Sequence, residues 1–390
     1  MRKVNHRIVT TLVLCIGLVL GTAPGYSQDT DEFQTAAGKK KHRKRQVRPI
    51  KLGTSGSNVE DIAGGFCCNG TLGALVEKEG VQYILSNNHV IGRSNSGKIG
   101  EAIIQPGYAD QSCPASDEAG DTVAHLSAKK RIKFGDDKRN KVDVGIAEVT
   151  PGAVRTDGEL LKIGIPGTTP ARAFVGMEVM KSGRTTGFTR GIVRLVDVTV
   201  IIDEFPLDCA GSETRTARFV DQIIVEGVDT RNFLDSGDSG SMLYEDVAEC
   251  PAPVGLLFAG GDGFAAAAPA STVLKMIKRL KPRGDASFVG CESSTMSVAA
   301  ARSPILKPQR VRQASDVRRV WEDRLLDIDG VHAVGIGVTL SGPMKPAIYV
   351  ITADSRQAAL DRLPESLDGI RVEVIKTDEF VAYCGQRNSA

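Results

Sequence analysis

The sequence predicts a mainly β protein followed by a small α+β unit, and three observations indicate this fold class. Short runs rich in Val and Ile recur between clusters of Gly, Asp, Asn and Ser from residue 49 to about residue 283. These runs do not alternate with helical stretches, which is typical of a barrel or sandwich and not of a parallel α/β sheet. Beyond residue 315 the pattern changes to helix, two strands, a short helix and a further strand.

The composition excludes several classes of protein. The chain has 390 residues, of which 41% are hydrophobic and 25% charged, as in globular proteins rather than disordered or fibrous ones. Its formal net charge of +2 is too small to indicate a nucleic-acid partner. We therefore expect a β-rich enzyme or binding module with no nucleic-acid partner.

The first 27 residues have the order of a secretory signal peptide. Basic residues near the start precede an apolar run of thirteen residues, 8–20, and small residues follow up to a plausible cleavage point after Ser27. The run is shorter than the roughly 20 apolar residues of a membrane-spanning helix, although an uncleaved anchor is the alternative. Cys15 follows Leu14 instead of a small residue, so we expect no lipid anchor. The mature protein is expected to be secreted or periplasmic, with no stable membrane span.

Residues 28–48 are polar and then strongly basic, with seven Lys or Arg residues between positions 39 and 48. Like charges in such a block repel one another, so we expect a solvated, disordered segment. A proteolytic processing site and a patch for an anionic surface are the alternatives.

Seven of the eight cysteines follow the signal segment: Cys67, Cys68, Cys113, Cys209, Cys250, Cys291 and Cys384. An exported protein meets an oxidising compartment, so some of them should pair, and an odd number leaves at least one unmatched. The sequence does not fix the pairing. Their irregular spacing disfavours a structural zinc site, so we expect disulfides, no metal and no cofactor.

Eight runs in residues 49–283 predict strands, and one stretch predicts a helix. The strands are Gly73–Val76, Tyr83–Ser86, Val142–Val149, Glu178–Ser182, Ile192–Ile202, Phe219–Val225, Ser241–Tyr244 and Val254–Ala259, and the helix is Ala270–Leu280. Residues 284–315 lose this periodicity, which predicts a linker.

Residues 316–384 predict a small α+β domain of about 70 residues, near the lower limit for independent folding. Its predicted elements are a helix that Asp316 caps and that ends at Leu326, strands at Val331–Leu340, Ala347–Thr352 and Arg371–Ile375, and a short helix at Gln357–Leu363.

A histidine and an aspartate lie in segments suited to catalysis. His89 follows the predicted strand Tyr83–Ser86, although a lone histidine after a strand is more often structural. Asp143 lies in the apolar run Val142–Ala147, where an acid is costly unless it has a partner. An aspartate that accepts the Nδ1–H of a catalytic histidine forms one such pair. A strand-edge aspartate bonded to backbone N–H groups is the alternative.

A serine lies in the glycine-containing run Asp235-Ser236-Gly237-Asp238-Ser239-Gly240-Ser241. Glycines on both sides allow a tight turn in which the backbone approaches a substrate closely. Such a turn can aim the N–H groups of Gly237 and Ser239 at one point and form an oxyanion hole. The alternative is an ordinary turn, because all these residue types favour turns.

Taken together, these motifs resemble the trypsin-like serine peptidases of the chymotrypsin fold. The order is His, Asp, Ser, with His89 and Asp143 separated by 54 residues and Asp143 and Ser239 by 96. Residues 48–53 and 181–187 resemble a bacterial-type branch of that family that carries a small C-terminal domain. The resemblance covers about residues 49–283.

The resemblance implies two six-stranded β-barrels with the active site in the cleft between them. By likeness, Ser239 is the nucleophile, His89 the general base and Asp143 the residue that orients the histidine. The N–H groups of Gly237 and Ser239 form the oxyanion hole. The implied partner is a protein or peptide substrate, and no cofactor is implied.

The sequence departs from the family pattern at several positions. No cysteine follows His89 in its loop, so the family's disulfide around that histidine is missing. Phe233 stands six residues before Ser239, at the base of the implied specificity pocket, where an aspartate would select Lys or Arg. With Gly260 and Gly261 on the pocket wall, we expect a preference for small or apolar side chains. The sequence also lacks an Ile-Val-Gly-Gly-like start for activation by a freed N-terminus.

The expected function is therefore that of an exported serine endopeptidase acting through a Ser-His-Asp triad and an acyl-enzyme intermediate. Two alternatives stay open at this point. One is a catalytically idle protease-fold binding or scaffolding protein whose C-terminal domain plugs the cleft or recruits a partner. The other is an esterase that applies the same triad to small esters.

Overall fold

Twenty strands and four helices are assigned in the computed structural model, which describes residues 41–111, 113, 118–228, 232–292, 305–353, 362–382 and 385–388. The predicted signal peptide and residues 28–40 lie outside the described residues. Strands β1–β10 are Thr54–Asn58, Ile62–Ala63, Phe66–Leu72, Ala74–Lys78, Val81–Ser86, Ala102–Ile104, Thr122–Lys129, Gly145–Val149, Glu178–Gly183 and Gly187–Pro206. Strands β11–β20 are Thr214–Gly227, Met242–Glu245, Pro253–Gly261, Phe264–Pro269, Ala286–Phe288, Val331–Val338, Pro346–Thr352, Ser366–Leu367, Ile370–Lys376 and Gly385–Asn388. Helices α1–α4 are Asn88–Ile91, Glu118–Asp121, Ala270–Arg279 and Pro308–Leu326.

The first sheet closes into a barrel. Its central strands follow the antiparallel order β4-β5-β8-β7-β6-β1-β3. Because β3 and β4 are consecutive parts of one strand bent at Gly73, this path is a closed ring of six strands. A side chain at Gly73 would overlap the carbonyl oxygen of Gly240, so only glycine lets the barrel wall approach the Ser239 loop this closely.

The second sheet contains another closed ring. Its order is β11-β14-β13-β12-β9-β10, and a long antiparallel pairing between β10 and β11 joins the two ends. Buried apolar side chains such as Val193, Val225 and Leu257 fill the interior. The prediction of a mainly β, two-barrel fold is confirmed.

The second sheet also extends beyond its barrel. Strand β10 pairs antiparallel with β16 at Thr199 and Val334, and β17, β19 and β18 follow in order. Helix α4 packs its buried Ala314 and Leu325 against apolar residues of β16 and β17. The predicted C-terminal strands and helix are therefore present, and they join the barrel edge to edge.

A buried charge cluster fixes helix α4 on the second barrel. Arg318, which is 2% exposed, forms an ion pair with Glu322, and the hydroxyl of Thr199 on β10 donates to Glu322 at 2.9 Å. Arg218 on β11 reaches Asp323 at 2.6 Å. Breaking one partner of such a buried pair is strongly destabilising, so the cluster sets where the helix lies.

Two expectations for the segments outside the barrels are wrong in part. Residues 41–48 of the supposedly disordered basic segment are packed, because His42 is 1% exposed with its Nε2 3.0 Å from Ser182 Oγ, and Arg45 pairs with Asp121 at 2.7 Å. Two of its basic side chains, Arg45 and Arg48, thus bind Asp121 and the carbonyls of Gly120 and Thr122, although Lys41 and Lys44 are exposed.

The predicted linker is also shorter than expected. Residues 286–288 form β15, which pairs with β4, and helix α4 begins at Pro308 rather than at Asp316. Proline is favoured in the first turn of a helix, which explains the early start, and Asp316 lies inside the helix 3.0 Å from Arg319. Residues 293–304 and most of the predicted helix 357–363 lie outside the described residues.

The expectation of disulfides is confirmed. The pairs are Cys67–Cys113, Cys68–Cys209 and Cys250–Cys291, and Cys384 lies outside the described residues. The pair Cys68–Cys209 links β3 of the first barrel to the loop after β10 of the second. None of the helices in the described ranges is long and apolar enough to cross a membrane.

Candidate active site

The histidine–aspartate pair is buried at the end of β5. His89, on the short helix α1, is 3% exposed, and Asp143, two residues before β8, is 1% exposed. His89 Nδ1 is hydrogen-bonded to Asp143 Oδ2, and the backbone N–H of His89 donates to Oδ1 at 3.2 Å. The side chain of Asn87 donates to the carbonyl of Asp143 at 2.8 Å. A carboxylate that accepts from Nδ1 leaves Nε2 as the nitrogen with a free lone pair.

The Ser239 loop depends on its two glycines. Gly237 and Gly240 have φ of +95° and +93°, a backbone conformation that residues with side chains rarely adopt. A Cβ at Gly237 would also overlap Arg184, and one at Gly240 would overlap Ser86. The loop therefore passes tightly between β5 and the turn after β9.

Strand β3 brings the histidine and the serine together. The N–H of Thr71 donates to the carbonyl of Ser239 at 2.8 Å. A Cβ at neighbouring Gly70 would lie 2.5 Å from Val90, next to His89, and 3.0 Å from the Ser239 carbonyl. Strand β3 therefore lies between the Ser239 loop and the short helix that carries His89.

No hydrogen bond joins Ser239 Oγ and His89 Nε2 in this arrangement. Ser239 Oγ lies 3.3 Å from the carbonyl oxygen of Phe258, to which it donates. His89 Nε2 is buried and has no hydrogen-bond partner among the described residues. Such bonds are often long or absent in free enzymes and form only with substrate.

A buried ion pair between Asp238 and Lys181 joins the Ser239 loop to β9. Asp238 is completely buried, and its carboxylate lies 3.3 Å from the ammonium of Lys181 on β9, which is equally buried. It also accepts hydrogen bonds from the N–H groups of Thr185 and Asp235, at 2.7 and 3.1 Å. Burial alone would raise the pKa of Asp238, but Lys181 and these donors hold the pKa below its usual value.

The ion pair of Lys181 with Asp238 was not predicted from the sequence, although residues 181–187 were identified as similar to the bacterial-type branch. A lysine in the apolar strand segment Val179–Gly183 was the signal, because a buried ammonium requires an acidic partner. The partner itself could not be read from the sequence, since the two residues are 57 positions apart.

The predicted specificity residues lie in two environments. Phe233 is fully buried in the core of the second barrel, and its carbonyl accepts from the Thr189 hydroxyl at 3.0 Å. Gly260 and Gly261 end β13, where Gly260 pairs with Val381 near the C-terminus. The assignment of Phe233, Gly260 and Gly261 to a substrate pocket stays a prediction.

A small pocket opens beside His89. Asp61 and Asp208 contribute to its wall, together with Cys209. Burial raises the pKa of Asp61 to about 7, and Arg93 opposes this shift. Although Asp61 lies close to the sulfurs of Cys68 and Cys209, these sulfurs are joined in a disulfide and offer no thiolate to a metal.

No family model and no curated protein matches the chain. Among solved structures, the chain is similar to a serine protease described as specific for glutamic acid, with 18% identity and a TM-score of 0.40. The match covers 62% of this chain and 100% of that protease. It is also similar to Thermobifida fusca protease A, with 14% identity, a TM-score of 0.40, and coverage of 62% and 99%. For a chymotrypsin from Cellulomonas bogoriensis the values are 15% identity, a TM-score of 0.36, and coverage of 59% and 96%.

The resemblance to bacterial chymotrypsin-like serine proteases therefore recurs in the structural comparison. Matches at these identities and TM-scores carry no argument about activity or substrate. The assignment of the fold depends on the two closed barrels themselves.

Proposed function

We propose that the protein is an exported serine endopeptidase that hydrolyses peptide bonds through a Ser-His-Asp triad. The observation that supports this most is the buried pair of His89 and Asp143 beside a glycine-dependent loop that carries Ser239. A buried, oriented histidine next to an activated serine is the arrangement that acyl transfer requires.

In the proposed reaction, Ser239 Oγ attacks the carbonyl carbon of the scissile peptide bond while His89 Nε2 accepts its proton. Asp143 keeps the histidine in the required tautomer and stabilises the imidazolium. The N–H groups of Gly237 and Ser239 bind the negative oxygen of the tetrahedral intermediate. His89 then donates the proton to the leaving amine, and a water molecule cleaves the acyl-enzyme by the same steps in reverse.

The ion pair of Lys181 and Asp238 supports a loop that needs no freed N-terminus. The sequence lacks an Ile-Val-Gly-Gly-like start that could supply the positive charge of a freed N-terminus. Lys181 provides a positive charge within the barrel itself, beside the carboxylate that precedes the nucleophile. On this proposal the oxyanion loop is preformed, and the three disulfides fit an oxidising, secreted or periplasmic location.

A catalytically idle protease-fold binding protein is the second candidate function. It is favoured by the hydrogen bond of Ser239 to Phe258 and by the unpartnered Nε2 of His89.

Hydrolysis of a mixed peptide library separates the two candidates. The purified mature protein, Ser239→Ala and Ser287→Ala are compared, because Ser287 is an exposed serine on β15 that shares only its residue type with Ser239. Cleavage by the wild type and by Ser287→Ala, with none by Ser239→Ala, supports the peptidase. A library profile dominated by Lys or Arg would reject the expected preference for small or apolar side chains.

A further inference from the structure

The C-terminal segment, defined as residues 377–382 and 385–388, lies along both barrels near Ser239. On the second barrel, Val381 and Gly260 exchange two backbone hydrogen bonds of 3.0 and 3.1 Å in antiparallel register. The hydroxyl of Thr377 donates to the carbonyl of Gly261 at 3.3 Å. A Cβ at Gly261 would lie 2.9 Å from the carbonyl oxygen of Glu379, so the glycine permits this close approach.

At Gly260, the edge of β13 that β12 leaves unpaired is occupied by Val381 and lies near Ser239. Strand β12 pairs with β13 only as far as Leu256, so the same edge is available again at Gly260. Phe258, two residues before Gly260, accepts the hydrogen bond of Ser239 Oγ. An extended peptide that adds to an open edge forms backbone hydrogen bonds of the kind that Val381 makes.

The segment contacts the first barrel on the other side of the serine. Strand β20 pairs antiparallel with β3, with Gly385 opposite Asn69 and Arg387 opposite Cys67. Two residues beyond Asn69, the N–H of Thr71 binds the carbonyl of Ser239. The segment therefore spans the same two strands, β13 and β3, that hold Ser239 between them.

The segment is also part of the core that covers the site. Phe380 is 2% exposed and Ala382 is fully buried, in the same apolar cluster as Phe205. The ring of Phe205 packs edge-on against His89 at 5.7 Å. Ser239 and His89 are only 2% and 3% exposed in this arrangement.

We propose that the C-terminal segment is an internal, substrate-like peptide ligand that keeps the peptidase latent, and that its removal opens the cleft to polypeptides. The inference rests on the proposed peptidase function.

The test cuts the segment after the protein has folded, because Phe380 and Ala382 belong to the core. A recognition sequence for a sequence-specific protease is inserted between Asp378 and Glu379, which are both exposed. A control carries the same insertion between Ser341 and Gly342, in the exposed turn between β16 and β17. Casein hydrolysis and fluorophosphonate labelling are measured before and after cutting, with and without a synthetic peptide of residues 377–390.

We expect cutting after Asp378 to raise casein hydrolysis at least about tenfold, the change expected when an open population of a tenth or less becomes the dominant one. The peptide should reverse the gain, a peptide with Val381→Pro should reverse it less because proline cannot donate to Gly260, and the control cut should have no effect. Equal casein hydrolysis by uncut and cut protein would overturn the inference.

Binding of a fluorescent 377–390 peptide to the cut protein separates this inference from the proposed function. If no form is labelled by fluorophosphonate but the peptide binds, the peptidase is rejected and the segment remains a ligand of the cleft. If the protein is labelled and the peptide does not bind, the peptidase stands and the inference is rejected.

Discussion

Replacing Lys181 by methionine leaves the carboxylate of Asp238 buried beside a hydrocarbon side chain. Removing one partner of a buried ion pair costs about 3–5 kcal/mol, because the other charge stays in a medium of low dielectric. This loss destabilises the Ser239 loop, because Asp238 directly precedes Ser239. Its carboxylate also accepts hydrogen bonds from the backbone N–H groups of Asp235 and Thr185. If about 3–4 kcal/mol of this destabilises the active loop, kcat/KM falls by roughly 10²–10³.

The assay measures kcat/KM on a peptide substrate and the free energy of unfolding in urea. Lys78→Met is the matched control, because Lys78 is a buried lysine on β4 whose ammonium donates to the carbonyls of Ile277 and Leu280. It should lower stability but leave the activity of the folded protein near that of the wild type. A double variant, Lys181→Met with Asp238→Asn, removes both charges and should recover part of the lost stability.

The pH dependence provides a second readout of the same pair. In the wild type the pKa of Asp238 is lowered, so its contribution to stability is present above the ordinary aspartate pKa and is lost as the pH falls through the lowered value. Without Lys181, burial raises that pKa, and the variant should instead lose stability as the pH rises above the ordinary value. A Lys181→Met protein with kcat/KM within about threefold of the wild type would refute this account of the loop.

Three further predictions follow from the same structure. Asp143→Asn should lower kcat by about 10⁴, as in the worked example of the trypsin-type triad, measured with the same peptide substrate. Gly237→Ala should abolish most activity while urea titration shows a folded protein, because a side chain there is strained at φ +95° and overlaps Arg184. Burial lowers the pKa of His332 to about 4, so the wild type should lose roughly 2–4 kcal/mol of stability as the pH falls from about 6.5 to 4. His332→Phe should flatten this part of the stability profile, and an unchanged slope would reject the assignment.

Local sequence patterns predicted the β character of residues 49–283 because strand periodicity is a local property, whereas the two barrels were implied by the family resemblance. The predicted runs Tyr83–Ser86 and Val254–Ala259 fall within β5 and β13. Strands β1 and β3 were not predicted, since Thr54–Asn58 and Phe66–Leu72 are rich in Gly, Ser, Thr and Asn and carry little apolar alternation. Their pairing with each other and with the Ser239 loop is a tertiary property.

The candidate site also combines residues that were predicted from local sequence with contacts that only the fold creates. His89, Asp143 and Ser239 were predicted from their local runs; the contact of His89 with Asp143 is present in the structure, and the catalytic role of the three residues stays a prediction. The partner of Asp238 and the strand-like addition of Val381 to Gly260 required the fold, because each joins residues far apart in sequence. The basic residues 41–48 were predicted to be solvated, and burial of His42 against Ser182 overrode that local preference.

Fluorophosphonate labelling, with the labelled residue located by peptide mass spectrometry, measures whether Ser239 is an activated serine. The probe reacts with a serine only when its hydroxyl is activated by a positioned base. The measurement uses the protein cut after Asp378, alongside Ser239→Ala and Ser287→Ala cut in the same way. We expect one phosphonylated residue, Ser239, in the wild type and in Ser287→Ala. A cut, folded protein that carries no adduct, or carries it on another serine, would contradict the assignment of the triad.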